Sequence, residues 1–483
     1  MSRCLVIKIS FLFCFILFAS TGIAQLCTGS LGDPAVNITF GSGSNPGPPL
    51  PAATINYQYA SNPCPVNGFY SVLNSGINCN YGWHVLSSDH TGNPNGYFML
   101  VDGSFEPSDF YLDTVKSLCA NTTYEFAAWM LNMKNIPQGI RPDIIFSVET
   151  TNGVVLQTYN TGSIPVEQVV TWRQYGFYFT TPANISDVVL RMTNKAPGGD
   201  GNDLALDDIT FRPCGPIITS FIQSHGDTLN VCEGDTGMYI FSGDSASAYL
   251  EPVYQWQVST NMGNVWKDIA GAGLVTYLRK PTGIGVYWYR LAVVEKSFAA
   301  NIKCRTASQN LIINVHAKPF VNAGSDRIIF IGDTINLNAT VTGESPTWQW
   351  TPPNGLSDMR LLKPIASPLA NIQYTLYAQT SFGCKNNDAV SVKVVENVFV
   401  PTAFTPNNDG LNDRWHIPYL DPILNAAVSV YNRYGQRVYY SEGTAVAWDG
   451  TLNEMPQATG VYIYHIVFKK GRRAIKGTFK LIR

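Results

Sequence analysis

Two adjacent acids, Asp207 and Asp208, interrupt an apolar run that reads Leu204-Ala-Leu-Asp-Asp-Ile-Thr-Phe211. Successive side chains on a strand point to opposite faces, so one of these acids must point inward or sit at a sheet rim. An inward carboxylate needs a partner, a cation or hydrogen bonds from loop amides. A second acid-rich stretch, Pro406-Asn-Asn-Asp-Gly-Leu-Asn-Asp413, sets Asn and Asp oxygens around a glycine, as a calcium loop does. It lacks the distal Glu of an EF-hand and its register is wrong. A plain Asx turn, in which Asn and Asp bond their own backbone, is the better reading.

Flat aromatic rings are the other chemistry on offer, because a ring stacks on a pyranose face. Trp83, Tyr97, Trp129 and Trp172 are the candidates, each weighed against a place in a hydrophobic core. Trp129 alternates within an apolar run and reads as core. Trp83, beside Gly82 in a polar stretch, is the best binding platform, with His84, Tyr97 and Trp172 as further ligand-binding candidates. His84 and His90 lie near Trp83 and Asp89 and would line a site, although such residues are more often loop or surface groups.

Catalytic patterns are missing. No two histidines show the i, i+4 spacing of a His-Glu-x-x-His metal helix, and there is no Cys-x-x-Cys. Gly243-Asp-Ser-Ala-Ser247 lacks the last glycine of a nucleophile elbow. There is no Walker loop and no dinucleotide fingerprint after a strand. A sandwich glycosidase needs two carboxylates across a cleft, yet no Glu-x-Asp-x-x-Glu strand occurs. Glu106 and Asp109 flank Pro107, which argues for a loop. The expectation is a protein without a catalytic centre; a polysaccharide hydrolase built on the first domain is the alternative.

The elements that carry these residues are strands. Aromatic residues make up 12% of the chain and charged residues only 14%, with abundant Tyr, Phe, Gly and Pro. That composition favours short strands joined by turns, hence an all-β fold. The net charge is −2, with a positive first segment and a basic tail, Lys469 to Arg483, that contains no acid. The acidic stretch between them is a poor partner for nucleic acid. Arg3 and Lys8, the apolar run Ile9 to Phe18, and small residues Gly22 and Ala24 make residues 1–24 a secretory signal peptide. No second apolar run is long enough to span a bilayer.

Four segments follow, expected as a string of β-sandwiches. Residues 25–214 hold strand candidates at Tyr97–Val101, Tyr124–Leu131, Asp143–Thr150, Val154–Tyr159, Arg173–Thr180, Asp187–Thr193 and Ala205–Arg212. Tyr175, Phe177 and Phe179 share one face, as do Val188, Leu190 and Met192. Residues 215–315 give a Cys232…Trp256…Cys304 order, the immunoglobulin-like pattern of a tryptophan against an inter-sheet disulfide. Residues 316–396 echo that segment: Thr347-Trp-Gln-Trp-Thr-Pro352 echoes Tyr254-Gln-Trp-Gln-Val258, and Tyr374-Thr-Leu-Tyr-Ala378 echoes Tyr287-Trp-Tyr-Arg-Leu291. Residues 397–483 form a smaller sandwich, with turns at Gly435 and Gly471. In an exported chain the cysteines can be disulfides. Cys232 with Cys304, Cys64 with Cys79 and Cys27 with Cys214 are the expected pairs, leaving Cys119 and Cys384 over.

The C-terminal residues run Phe399-Val-Pro-Thr-Ala-Phe-Thr-Pro-Asn-Asn-Asp-Gly-Leu-Asn-Asp413, Val430-Tyr-Asn-Arg-Tyr-Gly435, Trp448-Asp-Gly450, Gly460-Val-Tyr-Ile-Tyr464 and Gly477-Thr-Phe-Lys-Leu-Ile-Arg483. In that order they resemble the gliding-motility-associated C-terminal domain of Bacteroidetes, the type B sorting signal of type IX secretion. Its motif falls on Asn407, Asp409, Gly410, Asn412, Asp413, Arg433, Gly435, Trp448, Asp449, Gly450, Gly460, Tyr462, Gly477 and Arg483. The resemblance implies export across both membranes by the type IX machinery to the cell surface or the medium; it does not imply a part in motility.

Landmarks in the first segment, Gly96-Tyr-Phe-Met-Leu-Val-Asp102, Tyr124–Trp129, Thr171-Trp172 and Gly201–Phe211, resemble jelly-roll modules of the carbohydrate-binding kind. That likeness implies a structural calcium at Asp207 and Asp208, for which Asp33 and Asp203 are further candidate ligands, and it competes with hydrogen bonding to loop amides. The third segment resembles PKD-like domains. The leading expectation is an exported adhesion or ligand-binding protein: the first domain binds a glycan or surface ligand, the middle domains act as spacers, and the last directs export. A purely structural surface filament is the remaining alternative.

Overall fold

The computed structural model describes residues 26–51, 55–76, 79–245, 249–418, 420, 426–442, 447–468 and 473–483. The signal-peptide reading, the turn at Gly471 and the start of the basic tail lie outside them. Among the described residues the chain is all-β, with helical turns no longer than the single 3-10 turns Lys296–Phe298 and Ile302–Cys304, and no helix is long and apolar enough to cross a membrane. Contacts divide the chain into two units. One holds residues up to 229 with 236–281 and 285–314; the other holds 230–235, 282–284 and 315–483.

The first sandwich contains twelve strands: β1 (Ser30–Leu31), β2 (Val36–Ile38), β3 (Gln58–Tyr59), β4 (Phe69–Leu73), β5 (Phe98–Val101), β6 (Ser108–Val115), β7 (Thr123–Asn132), β8 (Asp143–Thr150), β9 (Val155–Ser163), β10 (Arg173–Thr180), β11 (Val188–Asn194) and β12 (Leu204–Gly215). One sheet is ordered β10-β7-β12-β5-β4-β3, with β1 and β2 also paired to β12; the other is ordered β6-β11-β8-β9. Their inner faces meet in a core of Tyr111, Phe126, Phe146, Phe177, Leu190 and Phe211, all at most 2% exposed. Period-2 alternation carries this: Val188, Leu190 and Met192 are fully buried, and Phe177 and Phe179 point in while Tyr178 points out. Gly176 lets β10 lie flat on β7, since a Cβ there would come within 2.3 Å of the Phe126 carbonyl oxygen. Burying each such phenylalanine contributes roughly 1.5–3 kcal/mol.

The second sandwich packs Ile240–Asp244, flanked by Thr219–Ile222 and Thr276–Leu278, against a sheet around Gly285–Glu295 and Pro252–Ser259. Trp256 is fully buried, as its pattern predicts, but no disulfide lies against it. Phe241 and Tyr277 pack on its ring, and its indole N–H donates to the Leu274 carbonyl. The expected Cys232–Cys304 pair is therefore a correction. Cys304 sits on the 3-10 turn Ile302–Cys304, off the strands, and bonds Cys119 of the first sandwich. Cys232 ends the strand Thr228–Cys232 and bonds Cys384 of the third segment. Spacing alone could not show that a cysteine outside the ladder faces a neighbouring module. Cys27–Cys214 and Cys64–Cys79 form as expected. Within the first unit the two sandwiches are further tied by Asp33, whose carboxylate accepts from Arg290 at 2.6 and 2.7 Å.

In the second unit, residues from the third segment form a sheet ordered Arg327–Phe330, Lys385–Val395, Ile372–Gln379, Thr347–Thr351 around buried Trp350 and Tyr374. The last segment is a five-stranded sheet, ordered Ala403–Phe404, Ile475–Leu481, Gly460–Phe468, Ala426–Tyr431, Arg437–Glu442, over a core of Phe404, Trp415, Trp448, Tyr462 and Phe479. Phe330 and Val395 extend that core into the third segment.

Candidate functional site

Strands β5 and β12 pair antiparallel with Val101 opposite Leu204, so the next residues along, Asp102 and Asp203, face each other at the strand ends. Like charges directly opposite on a sheet repel. Here the two side chains hydrogen-bond to each other, which requires a shared proton. Both are buried, at 6% and 4% exposure. Burial first, and then the charge of Asp102, push Asp203 up to about 8; burial pushes Asp102 up to about 6. The Gly103 amide and the Trp83 indole N–H donate to Asp203 at 3.2 and 3.0 Å. Those donors favour its anion, but burial and the neighbouring charge outweigh them, so the pair holds a proton that neither acid would keep alone.

The pair forms the floor of an open groove of about 730 Å³. One wall is the bridge between Trp83 and Lys134. Lys134, 3% exposed, is ion-paired to Asp200 on the opposite rim. Tyr81 stands at the mouth with its side chain 87% exposed. Asn67, Asn80 and Gln138 add amide groups. An exposed ring above a floor of fixed donors and acceptors is what a polyhydroxylated ligand needs: one apolar face to stack and several hydroxyls to bond.

The expected ligand residues are placed differently from one another. Trp83 lines the groove but is 3% exposed, so it braces the floor and is not a stacking platform. His84 is buried and its Nε2 lies 3.1 Å from the Glu167 carbonyl oxygen; burial lowers its pKa. Tyr97 is also buried, its hydroxyl donating to the Ser44 carbonyl. Trp172 is half-buried, edge-on to Phe98 and His90. The exposed ring is Tyr81, on the other side of Gly82 from Trp83, and its signal was its place in the same polar loop. Asp102 and Asp203 lie a hundred residues apart, and only strand register brings them together.

Asp207 and Asp208 form a second cluster with His90. Asp207, 2% exposed, accepts the His90 backbone N–H at 3.1 Å and lies 3.0 Å from its Nδ1; its other oxygen accepts the Asp208 N–H at 2.8 Å. Burial pushes Asp207 up to about 6 and raises Asp208 as well. The ladder between β12 and β7 shifts register between Asp207 and Thr210, and Asp208 takes φ 45°, so both acids reach the same side. The His90 ring stacks on Trp129 at 4.7 Å. Trp129 is thus only partly core.

A structural calcium does not fit this set. Asp33 is committed to Arg290, Asp203 to the groove, and the third group near Asp207 and Asp208 is a histidine nitrogen. Calcium takes six to eight oxygens, and both oxygens of Asp207 already accept backbone N–H groups. The loop-amide reading describes this cluster. Asp109 lies on β6, not in a loop, and with Glu149 it clamps Arg191.

The last segment uses its motif residues on itself. Asp413 accepts the N–H groups of Asn407, Asn408 and Gly410 at 3.0, 2.6 and 2.8 Å, an Asx-type turn. Asp409 accepts from Leu411 and from the Asn407 side chain, which holds its carboxyl below the usual range. The Trp448 indole donates to Thr451, Asp449 caps that same residue, and the Tyr462 hydroxyl bonds Ala458. Gly450 has φ 80°, and a Cβ there would press on Leu481 and Phe404. Arg483 donates to the carbonyls of Gln457 and Gly450. Gly435 supplies a positive φ at its turn, Asn412 has φ 52°, and Gly477 clears the Tyr464 ring. Gly460 opens the central strand, and Arg433 lies over Tyr434.

Residues 398–481 match the CHU_C Type IX secretion signal domain. This segment carries the chain's export signal. The chain is therefore delivered by type IX secretion to the cell surface or the extracellular space, and the type IX machinery recognises it. No curated protein matches the chain in sequence. Among solved structures, it is similar to a family 16 carbohydrate-binding module at 20% identity, covering 27% of this chain and 86% of that one, with a TM-score of 0.19. It is similar to a CBM4 structure at 16% identity, covering 34% and 95%, TM-score 0.19. It is similar to the DIP-gamma IG1+IG2 pair at 12% identity, covering 38% and 99%, TM-score 0.21. These distant likenesses to carbohydrate-binding and immunoglobulin-like folds carry no argument about a ligand.

Proposed function

We propose that this exported chain is a non-catalytic binding protein of the cell surface or medium, and that the groove above Asp102 and Asp203 takes a glycan. The observation that carries the reading is the exposed Tyr81 ring over a proton-sharing carboxyl pair at the ends of β5 and β12. Stacking on Tyr81 and hydrogen bonds from the groove floor would hold the ligand, and the middle sandwiches would space it from the anchored or processed end.

A hydrolase is disfavoured by the same pair. Retaining and inverting glycosidases hold their carboxyls about 5–9 Å apart, to admit the glycosidic bond or a water. Asp102 and Asp203 bond each other instead. Glycan-array screening of the full exported chain, wild type against Tyr81→Ala and with or without chelator, tests this reading. Wild-type binding that Tyr81→Ala weakens, unaffected by chelator, is expected. No binding to any glycan, or release of reducing ends from a bound polysaccharide, would overturn it.

A further inference from the structure

The central strand of the signal domain, Gly460–Phe468, buries Tyr462, Ile466 and Phe468 beneath the sheet. Its other face leaves Val461, Ile463 and Val467 exposed at 51%, 48% and 42%. An apolar stripe along the middle of a sheet's outer face marks an interaction surface. Its rim is cationic. Val461 lies opposite Lys480 and His465 opposite Lys476, while Ile463 is opposite Tyr431, which in turn is opposite Arg437. Lys476, Lys480 and Arg437 are all exposed. Among the described residues of these five strands Glu442 is the one acid, and it already accepts the Tyr440 hydroxyl.

The signal's motif side chains are spent inside their own domain. What this domain presents outward is an apolar centre with a basic rim. We propose that this face is the surface by which the type IX export machinery grips the chain, and that the machinery meets it with an apolar patch rimmed by carboxylates. A second copy of the chain is the poorer occupant, because face-to-face pairing would set cations against cations. The inference rests on the match of residues 398–481 to a secretion signal, and not on the glycan reading.

The test uses the full-length chain in cells that export it. Ile463→Glu and the double variant Lys476→Glu/Lys480→Glu each place a charge where the partner would repel it. Each is expected to lower the amount outside the cell about tenfold, with folded protein retained inside. Lys476 and Lys480 are exposed, so their reversal leaves the fold intact even if Ile463→Glu does not. A photo-crosslinking residue in place of Ile463 should join the chain to a component of the export machinery. Wild-type export of the folded lysine variant, or cross-linking only to a second copy of this chain, would overturn the proposal.

Discussion

The first sandwich and the signal domain both place acids at the ends of strands, and they use them in opposite ways. In the signal domain Asp413 sits in an exposed turn and gathers three backbone N–H groups. Its carboxylate is a fastener for its own loop. In the first sandwich Asp102 and Asp203 are buried at the floor of an open groove and share a proton. Burying a charged pair this way costs stability, and the cost is retained at a surface open to a ligand. An acid that satisfies its own backbone fixes a fold. An acid pair held against its own charge preference points to a site.

The comparison is broken most directly by removing the signal domain's own fasteners. Trp448→Ala empties a fully buried site packed by Phe404 and Tyr462. It should cost about 3–5 kcal/mol and block export, read by denaturant unfolding and by the fraction outside the cell. A Trp448→Ala chain that keeps its stability yet stays inside the cell would show that the motif is read directly and is not structural. The paired substitution Cys232→Ser/Cys384→Ser should cost about 2–4 kcal/mol in the unfolding of the second unit and leave ligand binding by the first unchanged.

Much of this was legible in the chain. Period-2 alternation located seven strands of the first sandwich, and Arg173–Thr180 and Asp143–Thr150 match to the residue. Phe69–Leu73 and Ser108–Val115 escaped because the first hardly alternates and the second begins beside Pro107. The signal domain announced itself because its motif is local: turns, caps and glycines are set by near neighbours. The groove did not, because its floor is a product of register between β5 and β12. Cysteine pairing is illegible where the partners belong to different segments, as in Cys119–Cys304 and Cys232–Cys384, because spacing along the chain carries no information on which modules pack together. The calcium reading failed at Asp33, which an arginine from the second sandwich claims.

A titration sharpens the comparison next. A carboxyl whose folded pKa lies above its unfolded value near 3.8 is held protonated by folding, so the folded state binds more protons across that window. Stability from the pair is therefore greatest on the acid side and falls as pH rises from about 4 through about 8. Asp207 and Asp208 are raised too and add the same sign. The buried Lys134, paired with Asp200, faces the same groove. The wild-type chain should lose stability between pH 5 and pH 9, on the order of several kcal/mol, followed by thermal unfolding. Asp102→Asn removes one titrating group and the charge that raises Asp203, while burial still raises Asp203, so its slope should be shallower but not flat. An unchanged slope in Asp102→Asn would mean that the pair holds no proton of its own.

The smallest effect on the fold should accompany the most specific effect on function. Tyr81 is 87% exposed, and removing an exposed ring leaves stability within about 0.5 kcal/mol. A stacked sugar would lose about 1–1.5 kcal/mol, roughly tenfold in affinity. Titration of the strongest array ligand into wild type and Tyr81→Ala, beside their unfolding curves, separates the two. Weakened binding with an unchanged fold places Tyr81 in the site and sets the groove apart from the self-fastened signal domain. A matching loss of stability would make Tyr81 one more structural group, and the contrast between the two regions would fail at the residue where it is sharpest.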